Sequence, residues 1–77
     1  THWRSLDWMR DSFPEVTVEF QQHVVEDGRV VTSAGISAGI DMALKVVARY
    51  CGENIARDTA RHMEYPYPDS NERRIRL

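Results

Sequence analysis

The stretch TSAGISAGIDMALKVVARYCGENIA, Thr32 to Ala56, constrains this chain more than any other. Ala34, Gly35, Ala38 and Gly39 crowd its start, and small residues permit a tight turn and close backbone approach. The pattern that follows predicts a helix beginning near Ser37 or Ala38. Ile40, Ala43, Leu44, Val47 and Cys51 fall on one apolar stripe, and Met42, Val46 and Tyr50 widen it on both sides. The polar remainder is a single line at four-residue spacing, Asp41, Lys45 and Arg49, which can pair internally. A helix with so narrow a wet stripe is normally covered on two sides. Gly52 suits the position after its C-terminus, where a left-handed conformation is wanted.

The rest of the sequence offers little to cover that helix. THWRSLDWMRDSF reads as the end of a strand and then a short helix, with Ser5 as N-cap and Asp7 in the first turn. Leu6, Met9 and Phe13 repeat at helical spacing, and Pro14 closes the segment. Val16–Phe20 (VTVEF) alternates like a strand with one buried face. Two β-branched runs then flank Asp27-Gly28, which predicts a hairpin and makes Glu26-Asp27 a turn rather than an acid/base pair. A further helix is expected over about Glu53–Glu64, with Ile55, Ala56, Thr59, Ala60 and Met63 inward and Arg57, Asp58, Arg61 and His62 outward. Residues 66–77 carry two prolines and mixed charge, so an irregular tail is expected, with ERRIR solvated.

Strands and helices therefore mix, which makes the fold class α/β, but the strands are too few for a complete sheet. A chain of 77 residues buries a modest share of its surface and often needs a metal, disulfides or a partner. The single cysteine, Cys51, excludes an internal disulfide and fits a cytoplasmic setting. His2, His23 and His62 show no ligand spacing, so neither a metal nor another cofactor is expected. A net charge of −2 argues against broad attraction to nucleic acid. No apolar run approaches a membrane span. The coverage of the long helix is expected to come from a homo-oligomer or from protein outside this sequence.

Three stretches, THW at the start, EDGRVVTSAGISAGIDMALKVVARYCGENIA in the middle and ARHMEY from Ala60 to Tyr65, resemble the C-terminal part of the ThiJ/PfpI superfamily. That group has a class I glutamine-amidotransferase-like fold, and it includes isonitrile hydratases and the sensor domains of some AraC-type transcription regulators. The resemblance runs from Thr1 to about Tyr65. It implies that residues 1–65 are the C-terminal portion of a flavodoxin-like three-layer α/β/α sandwich, incomplete in this chain. It also implies a nucleophilic cysteine on a strand-to-helix elbow upstream of THW. Neither that elbow nor its acidic partner stands in this sequence, so catalysis of the family's kind is not expected from these residues alone.

The resemblance places His2 at the end of a central strand, near the elbow cysteine, where an imidazole can hold a thiolate or relay a proton. This supporting role is the one catalytic assignment the sequence offers. Gly35, Ile36 and Ser37 are implied as pocket lining, and Trp3 is placed at the pocket mouth or an interface. The SAGISAG turn is a poor phosphate loop, lacking both GxGxxG spacing and a following Lys-Ser/Thr pair. Cys51, in the last turn of an apolar helix, is expected to be a small buried hydrophobe. Trp8 is expected as partly exposed packing.

The whole protein is therefore expected to be a cysteine-dependent hydrolase or hydratase acting on a small molecule. The rival expectation is a non-catalytic ligand-sensing domain of an AraC-type regulator, which contacts nucleic acid only through a fused DNA-binding domain. Either way the expected partners are the N-terminal remainder of the same domain, a second copy in a homodimer, and a small-molecule ligand.

Overall fold

The computed structural model describes all 77 residues, Thr1–Leu77. A 3₁₀ turn at Trp3–Ser5 leads into α1 (Leu6–Ser12). Strands β1 (Val24–Asp27) and β2 (Val30–Ser33) follow, then α2 (Ile36–Cys51) and α3 (Glu53–His62). Helices and an antiparallel two-stranded sheet thus combine in one α/β chain.

The hairpin forms as its turn chemistry requires, with the loop one residue later than expected. Val24 pairs with Ser33 and Asp27 with Val30, which leaves Gly28-Arg29 as the two-residue connection. Gly28 has φ +58° while Arg29 keeps a negative φ, the pattern of a II′ turn with glycine in its first central position. Asp27 is therefore the last strand residue, and Glu26 reaches across to an ion pair with Arg49 of α2.

Helix α2 starts at Ile36, directly after Gly35, slightly earlier than the apolar pattern suggested. It packs on both strands and on α3. Its buried residues are Ala38, Asp41 and Leu44, three apart along one face, and α3 meets it through buried Ala56 and Ala60. Gly52, at φ +96° and ψ 153°, joins the two helices in a conformation that suits glycine. Residues Met63 and Glu64 form a turn rather than a last helical turn.

Several expectations change here. Val16–Phe20 forms no strand and Thr1–Trp3 closes none, because a strand exists only by pairing and no neighbour offers either segment a ladder. Cys51 is exposed, not buried, at the last residue of α2 beside the Gly52 corner. Ile55 and Met63 are about half exposed, because nothing lies over the side of α3 that carries them. Asp41, assigned to the wet stripe, is 5% exposed and belongs to the core. The tail has no helix or strand of its own, yet it is docked rather than solvated. Asn71 accepts from the Val24 N–H through Oδ1 at 3.0 Å and donates to the Val24 carbonyl through Nδ2 at 2.7 Å. Its backbone carbonyl takes the His23 N–H, and Arg73 donates from its backbone to Gln21 and from its guanidinium to the carbonyls of Phe20 and Thr1.

The chain is extended for its size. Its radius of gyration is 13.5 Å, against about 11.5 Å for a compact domain of this length. Its accessible surface is 6075 Å², where a folded monomer of this mass exposes about 4800 Å². Large apolar side chains are exposed along α2 and α3, as they are on the N-terminal segment and the tail. Ile36 is 93% exposed and Tyr50 79%, and a shallow apolar groove of about 340 Å³ runs past Ile36, Gly39, Ile40, Ala43, Val47 and Met63. No helix is long and apolar enough to cross a membrane.

Leu44 is the large side chain at the centre of the α2 contact, and the core has few others to compensate. Leu44→Ala is expected to cost about 2–5 kcal/mol by chemical denaturation. The neighbouring exposed Lys45→Ala should stay within about 0.5 kcal/mol.

Candidate functional site

Two clusters of chemistry-bearing residues emerge, one foreseen and one not. The foreseen cluster gathers at the start of α2. His2 precedes the 3₁₀ turn, and its Nδ1 accepts the Arg4 N–H at 3.1 Å. Nδ1 is thereby occupied as an acceptor, and Nε2 is left without a hydrogen-bond partner. Trp3 stacks on the imidazole, with centroids 5.7 Å apart and planes 29° from parallel, and Arg4 lies over the indole at 5.3 Å.

Gly35 adjoins the same ring. A Cβ built on Gly35 would sit 3.6 Å from His2 Cδ2, an ordinary contact, so the glycine is not required by overlap. Ile36 and Ser37 follow on the exposed first turn of α2. The fold thus brings His2, Trp3 and Gly35 together, with Ile36 and Ser37 beside them, as an open surface rather than an enclosed pocket. Cys51 stands at the other end of α2, so this surface has no thiol.

The unforeseen cluster surrounds Asp41. Its Oδ1 accepts the Tyr65 hydroxyl at 2.5 Å, and its Oδ2 accepts from His23 Nδ1 at 3.2 Å and from the Arg74 guanidinium. The Arg74 backbone N–H points at His23 Nε2, 3.2 Å away. A nitrogen that receives an N–H must lack its own hydrogen, so Nδ1 carries the proton and donates it to Asp41. Every hydrogen-bonding position of the imidazole is then used. The carboxylate has an aromatic hydroxyl, an imidazole and a guanidinium as donors, and no buried polar side-chain atom in the molecule lacks a partner. Fully partnered in this way, the group braces three segments against α2.

The same carboxylate raises the Tyr65 pKa above its usual 10.0, chiefly because the phenol's own proton makes the bond, with burial contributing second. Between this brace and the tail lies a cavity of about 270 Å³, walled by Leu44, Lys45 and Glu53 on one side and by Tyr67–Asn71 on the other.

One signal for this brace stood in the sequence. Asp41 is three residues from Ala38 and three from Leu44, on the very stripe that is buried. An acid on an apolar face implies buried partners. Their identity was out of reach, because His23, Tyr65 and Arg74 lie on three other segments.

Over 55 residues, or 71% of its length, the chain is 36% identical to the HTH-type transcriptional regulator CdhR of Pseudomonas aeruginosa. The chain spans 16% of that regulator's length. No family model matches it.

Asp41→Ala is expected to cost about 3 kcal/mol in chemical denaturation, since three donors lose a charged acceptor. Tyr65 adds a pH signature. Its folded pKa is raised, so its stabilisation is complete below the ordinary tyrosine value and fades as pH climbs through the raised one. Tyr65→Phe should lower stability at neutral pH by about 1 kcal/mol and remove that alkaline loss, read from denaturation midpoints across a pH series.

Proposed function

We propose that this chain is part of a non-catalytic, ligand-sensing domain of an AraC-type transcription regulator, built on a ThiJ/PfpI-like flavodoxin fold. The observation that carries the proposal is the 36% identity to a transcriptional regulator over most of the chain. That similarity is to a regulator, whereas the hydrolase or hydratase expectation drew on the ThiJ/PfpI resemblance alone. The chemistry of this surface agrees with sensing. His2 is stacked and tethered through Nδ1, which suits positioning a ligand more than cycling protons. The thiol present is remote from it along α2.

In this proposal His2, Trp3, Gly35, Ile36 and Ser37 form one wall of the ligand pocket. The remainder of the sandwich supplies the opposite wall and also covers the apolar groove along α2 and α3. The surface excess supports a covering of that kind, because an open apolar groove continuous with a half-bare helix marks an interface. The regulator pairs as a homodimer and meets DNA through a helix-turn-helix region elsewhere in the protein. Its ligand is a small molecule that shifts DNA affinity by stabilising one of two arrangements.

The test uses the full-length protein and the promoter DNA next to its own gene. Gel-shift titration with a metabolite library should find small molecules that change the DNA affinity without being consumed. Trp3→Ala and His2→Ala should weaken that response about tenfold or more while leaving the melting temperature nearly unchanged, the loss expected from removing an aromatic anchor. Turnover of the added compounds by a thiol-dependent step, with no DNA bound, overturns the proposal in favour of an enzyme.

A further inference from the structure

We propose that the Arg74 end of the strap Asn71–Arg74 is released by a proton, since His23 holds it only while its Nε2 is bare. This inference concerns the tail and stands whether or not the chain belongs to a regulator. The strap is pinned along the segment before β1 by Asn71 on His23 and Val24, by Arg73 on Gln21 and Phe20, and by Arg74 on His23 and Asp41. Of these contacts, the Arg74 N–H to His23 Nε2 bond alone uses an acceptor that a protonated ring does not have.

Protonation of His23 has two effects on that end of the strap. Nε2 gains a hydrogen and faces the Arg74 N–H donor to donor. The ring also becomes a cation whose Nδ1 shares Asp41 Oδ2 with the Arg74 guanidinium, so two positive charges press on one oxygen. The groups that face the ring are Asp41 from α2 and Arg74 from the tail, with the Tyr65 hydroxyl occupying Asp41's other oxygen. With the Arg74 N–H facing a protonated Nε2, either the ring or Arg74 must move.

Exposure decides which one leaves. The His23 side chain is 8% exposed and enclosed, whereas the Arg74 side chain is 48% exposed and reaches water with a small movement. The proton therefore displaces Arg74 and keeps the ring on Asp41. The Asn71 and Arg73 contacts involve amides, carbonyls and a guanidinium, which do not titrate in the range where histidine changes charge, about pH 8 to 5. Release is therefore confined to the Arg74 end, while Asn71, which helps wall the cavity over Leu44 and Lys45, keeps its contacts.

The test follows amide exchange by NMR in the full-length protein from about pH 7.5 to about pH 5.5, with each rate normalised to that of an unstructured peptide. Protection at Arg74 should fall about tenfold, the weight of one hydrogen bond, while Leu44 in α2 keeps its protection. Ring-nitrogen shifts should show His23 Nε2 gaining its proton over the same interval. His23→Gln, which does not titrate, should abolish the pH response at Arg74. Unchanged Arg74 protection while the ring titrates overturns the strap, and so does a ring that stays neutral throughout. Equal loss at Leu44 overturns it as well, since the event is then general acid unfolding. If His23→Gln fails to fold, the wild-type comparison of Arg74 with Leu44 still decides.

Discussion

The fold is organised around one carboxylate withdrawn from water. Burying an ionised acid costs several kcal/mol unless donors surround it. Asp41 receives its donors from three separate places: His23 just before the hairpin, Tyr65 just after α3, and Arg74 near the end of the chain. A single residue of α2 therefore fixes where the hairpin begins, where the chain leaves α3, and where the tail lies. The apolar contacts of Ala38, Leu44, Ala56 and Ala60 hold helices together. The carboxylate selects among the ways those helices could sit, because any other arrangement leaves a buried charge without partners.

The second constraint comes from the opposite property of the same helix. One side of α2 is satisfied by sheet, α3 and brace, whereas Ile36, Val46 and Tyr50 remain in water. The surface is about a quarter larger than a compact monomer of this mass exposes, and the bare side of α2 contributes to it. The proposed ligand wall at His2, Trp3 and Gly35 lies at the start of this bare side. In the proposed sensing domain, one covering layer serves both the bare helix and the ligand wall.

Much of the local structure was legible in the residues. The Asp-Gly signal gave the hairpin, since a two-residue loop needs positive φ, although the glycine took the first loop position rather than the second. The apolar periodicity gave α2, and Gly52 gave its end. Alternation misled at Val16–Phe20, because periodicity reports a face that could be buried and says nothing of whether a partner strand is present. Cys51 was misplaced for a related reason: a stripe position is buried only where something lies opposite it, and the last residue of α2 is exposed. Asp41 shows the limit most clearly. Spacing placed it on a line with Lys45 and Arg49, while its actual partners are separated from it by as many as 33 residues. Long-range polar pairing leaves no periodic trace.

Asn71 has a consequence for how the molecule behaves among others of its kind. Its side-chain amide takes both the N–H and the carbonyl that Val24 turns away from β2, and so imitates one peptide unit of a neighbouring strand. An open strand edge is a template on which a stranger's backbone can zip. Here the first rung of β1 is already filled by a side-chain amide, and the tail backbone beside it bridges Gln22 through Glu72. A stranger's strand is denied the start of that edge by a plug.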